Sequence, residues 1–275
     1  MDCLEGMKQL PNESVDLVFT DPPYNISQKG KIFRDYRNGK NGDINMDFGE
    51  WDYGFDMIPF LQEAKRILKE NGSIIVWTSE QLYGEYRKWF AENMYPKQLL
   101  VWVKSNPLPQ FRLVGYRQAT ELMFWALKKK NTKDNENFIF STQKEMTNVF
   151  YHAIVGGKER TKHPTQKPLK IIKQIVETHC KVGGIVLDPF IGSGTTAVAC
   201  INTGRNFIGY EIDKKYYDIA VGRIQSAKSQ TLLTQPSAEG SLIGIKRKPC
   251  EVSQIPNGTS LNSDIRRNKL AHSKR

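Results

Sequence analysis

Cysteine is scarce in this 275-residue chain, and the four present (Cys3, Cys180, Cys200, Cys250) are scattered without paired metal spacing. Such thiols suit a reducing compartment, which excludes a disulfide-built secreted domain and a cysteine-built metal centre and points to the cytoplasm. No apolar run approaches the roughly 18 residues of a membrane span, and no signal peptide opens the chain. Residues 226–275 lack a helical or strand period and are rich in Ser, Thr, Asn, Gly and Pro, so they read as a mostly disordered tail. That tail holds nine Lys or Arg against three acids, more than half of the net charge of +11. It either adds salt-dependent, sequence-blind attraction to phosphates or is simply a solvated end.

What is present suffices for a real core: 39% of residues are hydrophobic and 11% aromatic. The length allows one large domain or two small ones. The most informative stretch is Val15-Asp16-Leu17-Val18-Phe19-Thr20-Asp21-Pro22-Pro23-Tyr24-Asn25. Its first half is β-branched and aromatic, which predicts a strand. Pro22 and Pro23 stop that strand, leaving a stiff loop that presents Asp21 and Tyr24. Ligands of open α/β sheets sit outside the carboxyl ends of strands. A plain strand-ending turn is the bland alternative. The chemical one concerns an exocyclic amino group on a nucleobase, whose lone pair is delocalised into the ring. Acceptors on its N–H bonds, from the Asp21 carboxylate and the Pro22 carbonyl, would turn that lone pair outward. Tyr24 would offer the base a stacking face worth roughly 1–3 kcal/mol.

Further along, Ile26 to Asp52 is polar and Gly-rich, the composition of a mobile loop placed to close over a target. Ile58, Leu61, Ala64, Ile67 and Leu68 have helical spacing, with Asn71-Gly72 ending the helix and Ser73–Thr78 a buried strand. This βαβ unit predicts parallel first and second strands. A helix from Gln81 to Glu92 and strands at Gln98–Val103 and Gln118–Leu127 follow, the last carrying Glu121 as its one acid and a candidate pocket wall. Lys128–Lys162 loses periodicity and reads as an insert on the functional edge.

The second informative block follows a helix at Leu169–Cys180. Ile185-Val186-Leu187-Asp188-Pro189-Phe190-Ile191-Gly192-Ser193-Gly194-Thr195-Thr196-Ala197 is strand, glycine turn, then helix. Asn206–Tyr210 is another strand, ending at Glu211-Ile212-Asp213. Glu211 lies 19 residues after Gly192, where an acid can hold two ribose hydroxyls. The loose dinucleotide pattern Gly-x-Gly-x-x-Ala is also satisfied, so a nicotinamide enzyme is a rival. Against it, Asp188-Pro189 at the strand end suits an ammonium-bearing ligand better than a pyrophosphate, and the regular pattern stops near Ile224 without a second mononucleotide half.

Asp21-Pro22-Pro23-Tyr24 together with Asp188-Pro189-Phe190-x-Gly192-x-Gly194 resembles the DNA amino-methyltransferases, and the order of the two loops resembles their beta class. The likeness runs from Asp2 to about Ile224 and includes Lys162-His163-Pro164-Thr165-Gln166-Lys167-Pro168. It implies a circularly permuted class I methyltransferase fold, an α/β Rossmann-like and mostly parallel sheet with helices on both faces. It divides the chain into a catalytic half (1–127), a target-recognition insert (128–162), a cofactor-binding half (163–225) and the basic tail (226–275). Family members usually carry a short strand before the residues matching Asp2, whereas this sequence opens at Met1: either the sheet is short of one edge strand or this sequence starts late.

By this resemblance, Asp21, Pro22, Pro23 and Tyr24 hold an extruded base. Asp2, Thr165, Lys167, Asp188, Pro189, Phe190, Gly192, Ser193, Gly194, Thr195, Glu211 and Asp213 line S-adenosyl-L-methionine, with Thr165 and Lys167 at its methionine end. No metal is implied. The implied reaction is methylation of adenine N6 in double-stranded DNA; cytosine N4 members more often begin the loop with Ser, and an RNA methyltransferase would share both loops. A non-catalytic DNA-binding protein would not need Asp21 beside two prolines. A homodimer and a cognate restriction endonuclease are the further partners to look for, the short insert fitting either a brief target sequence or help from a second subunit.

Overall fold

The computed structural model describes residues 1–24, 55–110, 113–130 and 137–234. The expected closing loop, Ile26–Asp52, and the tail beyond residue 234 lie outside the described residues.

A seven-stranded sheet orders the chain as β5-β3-β4-β2-β1-β6-β7. Strand β1 (Val15–Thr20) is buried at every position because it runs between β2 (Leu68–Thr78) and β6 (Ile185–Asp188), parallel to both. Leu17 and Phe19 pack into one apolar layer and Val15 and Val18 into the other, with a register shift between Val15 and Leu17. Its buried Asp16 is satisfied, taking Lys69 Nζ on both oxygens at 2.8 Å and the Ile185 N–H at 2.9 Å. A parallel neighbour requires a crossover, and β1 reaches β2 through α2 (Met57–Ile67). That helix is capped by Asp56 and buries Phe60, Leu61, Ala64 and Ile67, the one-sided spacing its sequence predicts.

Helices α1 (Cys3–Met7), α2 and α3 (Glu80–Asn93) cover one face of the sheet. Helices α4 (Leu169–His179), α5 (Thr195–Thr203) and α6 (Lys214–Thr234) cover the other. Strand β3 (Tyr95–Lys104) pairs antiparallel with β4 (Thr120–Leu127), which pairs antiparallel with β2. Strand β7 (Asn206–Gly209) lies parallel to β6. The permuted, mostly parallel sheet with helices on both faces is as expected. Among the described residues β7 is the outermost strand on its side, and the Met1 ammonium donates to the carbonyl of Glu211, two residues after that strand, at 2.9 Å.

Three expectations are corrected. Asn71-Gly72 does not end α2: Leu68 is already extended, and the pair lies within β2. There the register passes from Val15 against Leu68 to Leu17 against Ser73. A Cβ on Gly72 would lie 2.7 Å from the Leu68 side chain and 3.0 Å from the Asp16 carbonyl, so this glycine serves close approach, not helix termination. The regular pattern does not stop near Ile224, because Ala220, Ile224 and Ala227 are buried one helical turn apart and α6 continues to Thr234. Nor is 128–162 wholly irregular: β5 (Val149–His152) joins the sheet parallel to β3.

Candidate active site at the carboxyl rim

Because β1, β2, β6 and β7 are parallel, their carboxyl ends share one rim of the sheet. Strand β4 runs the other way and begins there, with Leu122 opposite Thr78, so Glu121 enters the rim. Strand β3 reverses again and delivers Lys104 beside it. Residues more than 140 positions apart in sequence meet here.

Asp21 follows β1 directly, and the prolines after it are buried. Its Oδ1 accepts the Tyr24 hydroxyl, and its Oδ2 accepts Lys167 Nζ. Lys167 stands just before α4, with a side chain only 10% exposed, and also reaches Glu121 Oε2 at 3.3 Å. The other Glu121 oxygen takes Lys104 Nζ at 2.8 Å. Lys167 Nζ lies 4.9 Å from the centre of the Trp77 ring, a cation–π contact. Burial raises the Asp21 carboxyl above its ordinary value, and Lys167 offsets part of that rise. Burial also acts to raise Glu121, but the two lysines outweigh it and hold it below the ordinary value. Lys167, which burial alone would lower, is held above its ordinary value by the two carboxylates.

One strand away, Asp188 ends β6 and is 5% exposed. Its oxygens accept the hydroxyls of Thr20 and Thr196, each at 2.6 Å, and the Phe190 N–H at 3.2 Å. Burial pushes it up to about 6 despite those donors. The turn that follows needs its glycines. Gly192 and Gly194 have φ of +51° and +79°, and a Cβ on Gly192 would lie 2.8 Å from His163 Nε2. Glu211 clasps this turn, accepting the Gly192 N–H at 2.9 Å and the Asp213 N–H at 2.8 Å. Burial raises its carboxyl, and those backbone donors pull the other way.

The structure therefore gathers Asp21, Tyr24 and Lys167 into one cluster and Asp188, Gly192, Gly194 and Glu211 into another, joined through Thr20. Pro189 is buried, and Phe190 makes edge-on ring contacts with Phe55 and Phe60 at 5.3 and 5.5 Å. Asp2 caps α1 by accepting the N–H groups of Leu4 and Glu5, next to the Met1–Glu211 contact. Asp213 caps α6 through the Lys215 N–H at 2.7 Å. The hydroxyl oxygens of Ser193 and Thr195 accept from the Arg223 guanidinium of α6 at 3.0 and 2.9 Å. Thr165 is exposed.

Sequence reading missed Arg223, Lys104 and Trp77 as parts of this rim. The only available signal for Arg223 was a cation set among the inward positions Ala220, Ile224 and Ala227. Tyr86 was missed as well. Its hydroxyl is buried without a hydrogen-bond partner among the described residues, and it lies close enough to Asp21 for that charge to help raise it.

The rim suits S-adenosylmethionine. Gly192 and Gly194 hold positive φ in a strand-end turn packed too closely on His163 and Ala220 for any Cβ, and Glu211 uses one backbone N–H per oxygen, which leaves acceptor capacity for hydroxyls.

The comparisons agree. The N6/N4 family model described as a DNA methylase matches residues 15–222. Type II methyltransferase M.HinfI of Haemophilus influenzae is 33% identical over 289 residues, covering 97% of this chain and 76% of that protein. Type II methyltransferase M2.LlaDCHI of Lactococcus lactis subsp. cremoris is 31% identical, covering 84% of this chain and 90% of that protein. The crystal structure of the M1.HpyAVI–SAM complex superposes with a TM-score of 0.61 at 31% identity, over 81% of this chain and 96% of that one. The chain thus belongs to the N6/N4 DNA methylases, as a beta-class DNA amino-methyltransferase that uses S-adenosylmethionine.

Proposed function

We propose that this enzyme methylates the N6 amino group of adenine at one short sequence in double-stranded DNA, after the base has left the helix. The observation that carries the reading is the setting of Asp21, a carboxylate fixed at a strand end between Tyr24 and Lys167 and one strand from the Asp188–Gly194 turn.

S-adenosylmethionine supplies an electrophilic methyl group on a sulfonium. The chain's own residues do the rest. Asp21 and the Pro22 carbonyl accept the two N–H bonds of the amino group, which turns its lone pair out of conjugation and stabilises the positive charge it acquires. The Tyr24 ring stacks on the extruded base, repaying part of the few kcal/mol that extrusion costs. Glu211 receives ribose hydroxyls, while Asp188, tied to Thr20 and Thr196, keeps the two loops in register. Asp in the first position of the loop favours adenine over cytosine.

Residues 128–162 supply target recognition, a role supported by β5 (Val149–His152) running beside β3 toward the rim. The relatives named as type II methyltransferases support a cognate restriction endonuclease and work on cytoplasmic DNA, and the short insert supports a homodimer. Mapping modified positions in DNA from a host expressing the chain tests the reading. N6-methyladenine confined to one short sequence is expected. N4-methylcytosine, or unmodified DNA beside newly modified ribosomal or transfer RNA, overturns it.

A further inference from the structure

Charges alternate along the rim: Asp21, Lys167, Glu121, Lys104. A lysine against the acid that receives an amino group is a liability by itself, for two reasons. It competes with the amino group for the lone pairs of one Asp21 oxygen, and it opposes the positive charge arising on the methylated nitrogen. A second carboxylate within reach of the same lysine removes both objections. Glu121 is that carboxylate, the one acid in a strand otherwise reading Thr-Glu-Leu-Met-Phe-Trp-Ala-Leu. It comes from β4, a different element from the β1 loop and from the segment that carries Lys167. The lysine is itself confined, 10% exposed, over the Trp77 ring and followed by Pro168 at the start of α4.

We propose that Lys167 and Glu121 are a positioning pair for methyl transfer: Lys167 holds the Asp21 carboxylate oriented and charged, and Glu121 is the alternative seat that draws Lys167 aside when the amino group takes an Asp21 oxygen. This rests on the reading of Asp21 as the base acceptor. It assigns Lys167 to the target base, where the family resemblance assigned it to the methionine end of the cofactor. Among the described residues, the other groups that act on this cluster are the Tyr24 and Tyr86 hydroxyls and Asp188 beside Asp21, Lys104 on Glu121, and His163 near Lys167.

The test is the pH dependence of single-turnover methyl transfer by the full chain on duplex DNA, with S-adenosylmethionine affinity measured for each variant. Lys167→Met removes the cation that keeps Asp21 ionised, so the acid limb moves to higher pH by about one unit or more. Its rate near neutrality falls by about 10²-fold through loss of orientation. Lys167→Arg restores the limb. Glu121→Gln removes a neighbouring negative charge, so the limb moves the opposite way, to lower pH, while the plateau falls because Lys167 stays on Asp21. Cofactor affinity is kept throughout. Limbs that stay put, or that move the same way in Lys167→Met and Glu121→Gln, overturn the pair, as does loss of cofactor binding in Lys167→Met with an unmoved limb. Asp21→Ala separates the two levels. If it is inactive while the limbs do not move, only the pair is wrong; if it is fully active, the base-acceptor reading is wrong as well.

Discussion

Thr20 donates its hydroxyl to Asp188 Oδ1 at 2.6 Å, joining the strand that ends in the Asp21–Tyr24 loop to the strand that ends in the Gly192–Gly194 turn. The second oxygen of Asp188 takes Thr196, so β1, β6 and the start of α5 meet on one carboxylate. Relative placement of the two loops is therefore set inside the core, by the buried Thr20, Asp188 and Thr196.

Asp188 makes stability depend on pH in a direction opposite to that of a salt-bridged acid. Its folded value of about 6 lies above the ordinary 3.8, so the folded chain holds this proton more tightly than the unfolded chain does. Its contribution is most favourable below about pH 4 and is lost as pH rises through about 6. In Asp188→Asn that dependence disappears. From pH 4 to 7 the variant should gain on the wild type by about 1–3 kcal/mol in urea unfolding; parallel stability curves would show that Asp188 ionises freely.

Tyr24 combines a ring and a hydroxyl with separable roles. Tyr24→Phe loses the bond to Asp21, which costs about 1 kcal/mol and slows transfer by roughly 5- to 10-fold. Tyr24→Ala loses the stacking face too, a further 1–3 kcal/mol or so in base capture. Fluorescence of 2-aminopurine at the target position measures that capture, and equal losses in the two variants would argue against stacking.

Glu211 is expected to act on the cofactor alone. Glu211→Ala removes the acceptor for ribose and frees the Gly192 N–H, so S-adenosylmethionine affinity should fall by about 10- to 100-fold. Calorimetry of the variant with the cofactor reads this, and DNA affinity should be unchanged. Weakened DNA binding at full cofactor affinity would reverse the assignment.

Arg223 reaches from α6 to the Ser193 carbonyl at 2.8 Å and to the hydroxyls of Ser193 and Thr195. Replacing it with Met leaves the Ser193 carbonyl without this donor and the Ser193 and Thr195 hydroxyls with only each other, a loss of about 1–3 kcal/mol in unfolding free energy. Denaturation in urea should show it; an unchanged midpoint would mean that the turn holds itself.

Both rim loops, Asp21–Tyr24 and Gly192–Gly194, were legible in the sequence because each is written in residues that leave the backbone little choice. Two prolines fix the end of β1, and two glycines with positive φ fix the turn after β6. Parallel pairing of β1 with β2 followed from the helix between them. Gly72 misled because a glycine after a helical run signals a cap, while its real constraint, the Leu68 side chain and the Asp16 carbonyl, comes from folding. The length of α6 was hidden by small inward residues, Ala220 and Ala227, that carry little hydrophobic contrast. Lys167 could be placed near the site by motif, yet its partners Asp21 and Glu121 stand on two other elements, and only sheet order brings them together. Arg223 likewise acts through residues 28 and 30 positions away.

The central claim is most directly tested by following labelled methyl groups from S-adenosylmethionine into duplex DNA and then into separated nucleosides, for the wild type and Asp21→Ala. The account predicts label in N6-methyladenine with the wild type and a loss of at least about 10³-fold with the variant, which still binds the cofactor. Label in another nucleoside, or equal transfer by Asp21→Ala, would contradict it.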